Sequence, residues 1–155
     1  MSMSHAEPRP ALPSSVLFAC TLNAVRSPMA EALLKRLHGR RVYVDSVGLR
    51  AVEVDPFAVA AMAEIGIDLS HHRPKTFDDL ADSSFDLVVS LSPEAHHRAL
   101  ELTRVMACDV EYWTTLDASM IEGSRSAMLD AYRSVRDALA TRIRARFPPQ
   151  ASPQV

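Results

Sequence analysis

The chain has 155 residues, 48% of them hydrophobic and 23% charged, with a formal net charge of −2. This length suits one domain with a sizeable core, and the near-neutral charge offers no positive field, so we expect no nucleic-acid or membrane partner. No apolar run reaches the roughly 18 residues of a membrane span, and the N-terminus lacks the apolar core of a secretory signal. The two cysteines argue against a disulfide scaffold and predict a cytoplasmic protein.

The two ends of the chain differ in composition from its body. Residues 1–14 are rich in proline and serine and show no apolar period, which predicts a flexible N-terminal arm. Residues 148–155 predict a flexible C-terminal tail for the same reason. Nothing between them resembles a linker or a repeat, so we predict a single domain over 15–147.

Apolar runs of strand type alternate with helical patterns along this body. Such alternation predicts parallel βαβ units wound on both faces of a sheet, with the ligand crevice at the carboxyl ends of the strands. Gly66 suits the left-handed end of the second helix. The predicted strands are 16–19, 42–44, 87–91 and 105–110, and the predicted helices are 28–38, 56–65, one opened by Pro93, and 124–146.

The loop after the first strand carries a cysteine and an arginine in a pattern that suits phosphate chemistry. Ser27 can cap the following helix and Pro28 fits its first turn, which leaves loop amides free to point at one spot. A group of backbone N–H donors that converge in this way at a helix N-terminus binds a tetrahedral oxyanion and favours a thiolate over a thiol. Arg26 adds a planar fork that matches two phosphate oxygens. We therefore predict that Cys20 lies below a bound anion, poised for attack.

The residues around this loop resemble a known family. They are similar to the signature loop of the low-molecular-weight protein tyrosine phosphatases, whose fold also contains thioredoxin-type arsenate reductases. The resemblance covers nearly all of 16–147 and implies a single α/β domain in which a four-stranded parallel sheet has helices on both faces. It is carried by VLFACTLNAVRSPMAEALL, VDSVG, DPFAVAAMAEIGIDLSHHRPKTF, FDLVVSLS and EYWTTLDASMIEGSRSAMLDAYRSVRDALATRIRARF.

The resemblance also implies roles for individual residues. Cys20 would be the nucleophile that forms a phosphocysteine, Arg26 the phosphate clamp and Asp117 the general acid. Ser46 and His72 would tie Asn23, the loop asparagine, into a hydrogen-bond network, and Ser27 could donate its hydroxyl to the Cys20 thiolate. No metal or cofactor is expected, the partner would be a phosphorylated protein or a small phosphate ester, and the chain would be a monomer or weak dimer. The expected phosphate-binding residues are Thr21, Leu22, Asn23, Ala24, Val25 and Ser27.

The sequence departs from the family pattern at several of these positions. Leu22 replaces the usual glycine, so the loop either avoids positive φ there or is slightly strained. Val25 replaces a frequent second cysteine, and Ala118 replaces the proline that usually follows the acid. No aromatic residue stands at 49–52 or directly after Ala118, so a phosphotyrosine ring loses stacking partners.

We expect a phosphoric monoester hydrolase, specifically a protein tyrosine phosphatase, and two alternatives stay open. The first is an arsenate reductase that uses an external thiol, since the remaining cysteine, Cys108, lies in a strand pattern that favours a buried, inert thiol. The second is a phosphate-binding or phosphoprotein-binding module with weak turnover, suggested by Leu22 and Ala118.

Overall fold

The computed structural model describes residues 12–80 and 84–149. The predicted arm and tail fall mostly outside the described residues, although Ser14 donates its N–H to the Asp86 carboxylate. The strands are β1 (Ser15–Cys20), β2 (Tyr43–Gly48), β3 (Leu87–Ser90) and β4 (Asp109–Tyr112), and the α-helices are α1 (Arg26–His38), α2 (Pro56–Ala63), α3 (Pro93–Leu102) and α4 (Arg125–Arg146). Two short 3₁₀ helices cover Phe77–Asp79 and Ala118–Met120.

The four strands form one parallel sheet in the order β2-β1-β3-β4, which confirms the predicted α/β fold. Side chains of β1 alternate between the two faces. Phe18 and Cys20 pack with α1, α2 and α4 on one face, whereas Leu17 and Ala19 pack with α3 on the other. Because β1 is central and buried on both faces, its sequence is a nearly continuous apolar run. Among the described residues, no helix is long and apolar enough to cross a membrane.

The fourth strand differs from the prediction of 105–110. The N–H groups of Val105 and Met106 both donate to the Leu102 carbonyl, so this segment is a turn that follows α3, and Val105 is 81% exposed. The strand itself is Asp109–Tyr112, at the edge of the sheet. An edge strand is only partly buried, and the sequence of β4 is therefore partly polar and lacks the continuous apolar run of a buried strand. The apolar residues of the preceding turn were taken for the strand instead.

Cys108 consequently precedes β4 instead of lying inside a strand. Its thiol is free and only partly buried, and burial, followed by the neighbouring Asp109 carboxylate, raises its pKa. A raised pKa keeps the thiol protonated, so Cys108 is a poor nucleophile.

The helix termini position the segments that matter for function. Asp55, Ser92 and Ser124 cap α2, α3 and α4 by accepting backbone N–H groups with their side chains. Gly66 follows α2 with φ of 79°, as predicted for a left-handed position. The loops after β1, β2, β3 and β4 all leave the carboxyl edge of the sheet, where parallel topology brings them together.

Candidate active site

The loop between β1 and α1 turns sharply around one residue. Asn23 has φ of 54°, and it is the one non-glycine residue of the described ranges with positive φ. Leu22 therefore avoids the strain that replacing a glycine could have caused, and its carbonyl accepts the N–H of Val52 at 3.2 Å. Asparagine tolerates this left-handed conformation better than most residues because its short side chain bonds locally.

Ser27 does not cap α1, contrary to the prediction. The helix begins at Arg26, and its N-cap residue, Val25, makes no side-chain cap hydrogen bond. The Ser27 hydroxyl is completely buried and turned inward instead, 2.8 Å from the Cys20 Sγ. It lies in the first turn of the helix, too late to cap it, and its hydroxyl is placed to stabilise a negative sulfur by hydrogen bonding.

The side chain of Asn23 satisfies all of its hydrogen-bonding groups. Its Nδ2 donates to the hydroxyls of Ser27 at 2.9 Å and Ser46 at 3.0 Å. Its Oδ1 accepts the His72 Nε2 and the backbone N–H of Lys75, both at 3.0 Å. The structure thus brings Asn23, Ser27, Ser46 and His72 into one network. This network holds the left-handed turn of the loop at Asn23.

Two buried carboxylates extend this network, and our sequence reasoning missed both. Glu31 accepts the Ser46 hydroxyl at 2.6 Å and pairs with Lys35 on the next turn of α1. Asp45 pairs with the Lys75 ammonium at 2.6 Å. A sequence signal existed for Glu31, since it lies between the core residues of α1 and a charge there needs a partner. The position of Asp45 in a buried strand is a similar signal.

Burial keeps His72 neutral, and the ring donates a hydrogen bond to Asn23. Its side chain is 8% exposed, and burial lowers its pKa, although the Glu31 carboxylate 3.9 Å from Nδ1 opposes that shift. The neutral ring carries its proton on Nε2, because the Asn23 oxygen that it faces can only accept.

This gives a prediction for stability against pH. As the pH falls below about 6.5, the unfolded chain protonates His72 while the folded protein resists, so stability falls with acidification and is fully present above that pH. Between about pH 7.5 and about pH 5.5, the wild type should lose more free energy of unfolding than His72→Gln, measured by urea denaturation. His97→Gln, at an exposed position, should behave like the wild type. Equal losses in all three proteins would contradict the prediction.

Arg26 and Asp117 meet above the loop. The guanidinium donates from Nη1 to the Thr115 carbonyl at 3.2 Å and from Nη2 to the Thr21 hydroxyl at 3.4 Å. The Asp117 Oδ2 lies 3.9 Å from Nη2, while its Oδ1 accepts the N–H and hydroxyl of Ser119 and caps a 3₁₀ helix. One Asp117 oxygen is therefore structural, and the other faces the arginine.

Arg26 and Asp117 line a cleft of about 900 Å³, and Cys20, which is 2% exposed, forms part of its wall. Leu22, Ala24 and Val25 also line it, as do Val52 and Met120, the latter 74% exposed. None of the described residues that line the cleft is aromatic. The predicted lack of tyrosine-stacking walls at 49–52 and after Ala118 is therefore matched by the lining of the cleft.

Asp55 links the loop to two helices and was also missed from the sequence. Its N–H donates to the Ala24 carbonyl at 3.1 Å, and its Oδ2 accepts the Tyr132 hydroxyl of α4 at 2.6 Å. Burial and this carboxylate raise the pKa of Tyr132, which keeps the phenol protonated as a donor. The pairing joins residues far apart in the sequence, so no local pattern could reveal it.

Gly48 allows the loop and the end of β2 to approach closely. A Cβ there would lie 2.7 Å from the Asn23 nitrogen and 2.5 Å from the Arg50 carbonyl oxygen, both backbone atoms. The backbone must shift if any side chain is added, which makes glycine a requirement of the site.

We predict that Gly48→Ala lowers the free energy of unfolding by about 1–3 kcal/mol, as overpacking does. It should also weaken phosphate binding, because the displaced backbone belongs to the loop. Urea denaturation and calorimetric titration with phosphate measure the two effects. Ala51→Val enlarges an exposed neighbour and should change neither, whereas a Gly48→Ala protein that matches the wild type in both measurements would refute the close approach.

This fold and loop define a class that comprises cysteine-dependent phosphatases and arsenate reductases. The chain belongs to the low molecular weight phosphotyrosine protein phosphatase family, whose model matches residues 15–146. The resemblance inferred from the sequence is thereby confirmed.

Individual relatives carry different activities in their names. An arsenate reductase of Halalkalibacterium halodurans is 35% identical over 131 residues, covering 83% of this chain and 91% of the relative. A mutant of YwlE from Bacillus subtilis superposes with a TM-score of 0.68 at 30% identity, covering 84% of this chain and 93% of that chain. YwlE arginine phosphatase with a phosphorylated active-site serine gives a TM-score of 0.67 at 29% identity, covering 84% and 91%.

Proposed function

We propose that the protein is a phosphoric monoester hydrolase, specifically a protein tyrosine phosphatase, that acts through a phosphocysteine. The observation that supports this most directly is the cleft in which Cys20, Arg26 and Asp117 occur together, with Asp117 Oδ2 3.9 Å from the guanidinium. An anion clamp beside a carboxyl group suits transfer of a phosphoryl group to sulfur with protonation of the leaving oxygen.

In the first step the Cys20 thiolate attacks phosphorus, and the bond to the ester oxygen breaks. Protonated Asp117 gives its proton to the departing oxygen, which leaves as a neutral alcohol or phenol. Arg26 and the loop amides stabilise the charge on the other phosphoryl oxygens, since the fork of Arg26 can bond two of them. The Ser27 hydroxyl, 2.8 Å from Sγ, stabilises sulfur as a thiolate.

In the second step water attacks the phosphocysteine. Asp117, now a carboxylate, accepts a proton from that water, and the sulfur leaves as a thiolate, which restores the enzyme and releases phosphate. The same carboxyl group thus serves as acid and then as base.

The substrate range follows from the walls of the cleft. With no aromatic lining, a phosphotyrosine ring contacts aliphatic groups such as those of Leu22, Val52 and Met120. Aromatic stacking worth about 0.5–1.5 kcal/mol per pair is absent. Small and non-aromatic phosphate esters should therefore compete well with aryl phosphates.

Arsenate reduction is the second candidate, and the names of the curated relatives favour it. The loop amides and Arg26 also suit arsenate, and the Cys20 thiolate could attack arsenic and displace one arsenate oxygen, which leaves as water. An external thiol would then attack the Cys20 sulfur, and the electron pair of the broken sulfur–arsenic bond would reduce the arsenic to arsenite, leaving a mixed disulfide between Cys20 and the external thiol. An internal thiol relay is unfavourable, since the sequence holds only Cys20 and Cys108 and these lie at opposite ends of the parallel strands.

The separation of the two cysteines follows from the strand register. Val16 pairs with Leu87, and Leu87 pairs with Asp109, so Cys108 is level with the start of β1 and Cys20 with its end. At about 3.3 Å per residue the two are about 16 Å apart along the strands alone. A disulfide requires Cα atoms within about 7 Å.

We therefore predict that peroxide oxidises Cys20 beyond the sulfenic acid without forming an internal disulfide. Mass spectrometry of peroxide-treated protein should show sulfinic and sulfonic Cys20, or a mixed disulfide when a small thiol is added. Cys108→Ser should give the same products at Cys20. An intramolecular disulfide that protects Cys20 in the wild type would show the prediction to be wrong.

A panel of substrates tests the proposed function. Wild type and Cys20→Ser are assayed with a phosphotyrosine peptide, p-nitrophenyl phosphate, phosphoarginine, and arsenate with small thiols or redoxins. Phosphotyrosine turnover that Cys20→Ser abolishes supports the proposal. Arsenate reduction without ester hydrolysis favours the second candidate, and phosphate binding without any turnover favours the phosphate-binding module.

A further inference from the structure

A second cavity lies behind the segment that carries Thr115 and Asp117. We call it the Trp113 pocket. It has a volume of about 310 Å³ and lies between residues 113–116 and one face of α4. This is at the lower end of the range of small-molecule sites. Its main lining residues are Trp113, Leu116, Val135, Ala138, Leu139 and Arg142.

The walls of the Trp113 pocket define the chemistry of a ligand. Leu116 is 55% exposed although it is a large apolar residue, so the rim offers uncovered apolar surface. Arg142 is the single charged residue in the lining, and its guanidinium lies 5.1 Å from the centre of the Trp113 ring. No carboxylate of the described residues forms an ion pair with it. An apolar body with one anionic group therefore complements this pocket.

The Trp113 pocket shares a wall with the proposed phosphate-binding site around Arg26. The Thr115 carbonyl accepts Arg26 Nη1 at 3.2 Å, and the Thr115 hydroxyl donates to the Trp113 carbonyl at 2.8 Å. The backbone of 113–115 thus contacts the pocket on one side and the arginine on the other. A ligand that moves this segment changes the position of the arginine's hydrogen-bond partner, and the two sites must affect one another equally.

We propose that the Trp113 pocket binds a small carboxylate with an apolar body and that its occupancy is coupled to anion binding at Arg26. This goes beyond the proposed function, because binding here requires no turnover. The carboxylate would pair with Arg142, and the apolar body would lie against Leu116, Val135 and Ala138.

The sequence provides a direct probe, since Trp113 is its single tryptophan. Titration of the full-length protein with 4-phenylbutyrate should change Trp113 fluorescence saturably, whereas 4-phenylbutan-1-ol, which lacks the charge, should bind more weakly. Arg142→Gln should weaken 4-phenylbutyrate binding about tenfold by removing a charged hydrogen bond. Arg144→Gln changes an exposed arginine of the same helix outside this pocket and should bind like the wild type.

The coupling is tested by repeating the titration with increasing phosphate at constant ionic strength. Coupling changes the dissociation constant of 4-phenylbutyrate by a finite factor that levels off as phosphate saturates. A dissociation constant that rises without limit would place 4-phenylbutyrate in the catalytic cleft, and one that does not change would disprove the coupling. A fluorescence response that is absent, or equal in Arg142→Gln and wild type, would overturn the site itself.

Discussion

Replacing Cys20 with serine should abolish hydrolysis while phosphate still binds. A serine hydroxyl ionises far less readily than a thiol, so the strong anionic nucleophile disappears. The proposed anion-binding site should stay intact, because it consists of loop amides and the Arg26 guanidinium, which donates hydrogen bonds to Thr21 and Thr115. Turnover of p-nitrophenyl phosphate should fall below detection, and calorimetry should show a phosphate affinity within a few-fold of the wild type.

Cys108→Ser is the matched control for this experiment. Cys108 is the other cysteine of the chain, and its pKa is raised by burial. Because it lies at the far end of the sheet, Cys108→Ser should retain full kcat. Loss of activity in Cys108→Ser, or comparable activity in Cys20→Ser, would refute the assignment of the nucleophile.

Replacing Asp117 with asparagine should lower kcat by about 10²–10⁴, the usual contribution of a positioned acid. The amide keeps the size of the side chain and can still accept the Ser119 N–H that now bonds Oδ1 at 3.0 Å. The short 3₁₀ helix should therefore persist, while proton transfer and the negative charge that faces Arg26 at 3.9 Å are lost. Steady-state kinetics with p-nitrophenyl phosphate measures the change.

Comparing two esters with different leaving groups distinguishes a general acid from an aspartate that has only a structural role. Phenolate is a poorer leaving group than p-nitrophenolate and needs the proton more, so Asp117→Asn should slow phenyl phosphate far more than p-nitrophenyl phosphate. Asp68→Asn, which changes an exposed loop carboxylate outside the cleft, should affect neither. Because hydrolysis of the phosphocysteine is common to both esters, the comparison uses kcat/KM, which reports the first step, and an equal fall in kcat/KM for both esters would assign Asp117 a positioning role only.

The order of elements and the nature of the loop could be predicted from the sequence because both depend on local pattern. A buried strand such as β1 is apolar throughout, and a helix start is marked by residues such as Ser92 and Pro93. The edge strand β4 could not be placed, since its residues are half-exposed and polar while the turn around Val105 is apolar. For Ser27, local pattern alone suggested a helix cap, whereas the family resemblance implied the contact with Cys20 that the fold contains.

The sequence by itself identified the candidate catalytic residues: a cysteine and an arginine with five residues between them at the end of the first strand, and an aspartate after the last strand. Only the tertiary structure decided what holds them. The Thr115 carbonyl on Arg26, the network from Asn23 through Ser46 to Glu31, and the backbone contact at Gly48 all join segments remote in the sequence. Such contacts arise from strand order and packing, which no local spacing of residue types encodes.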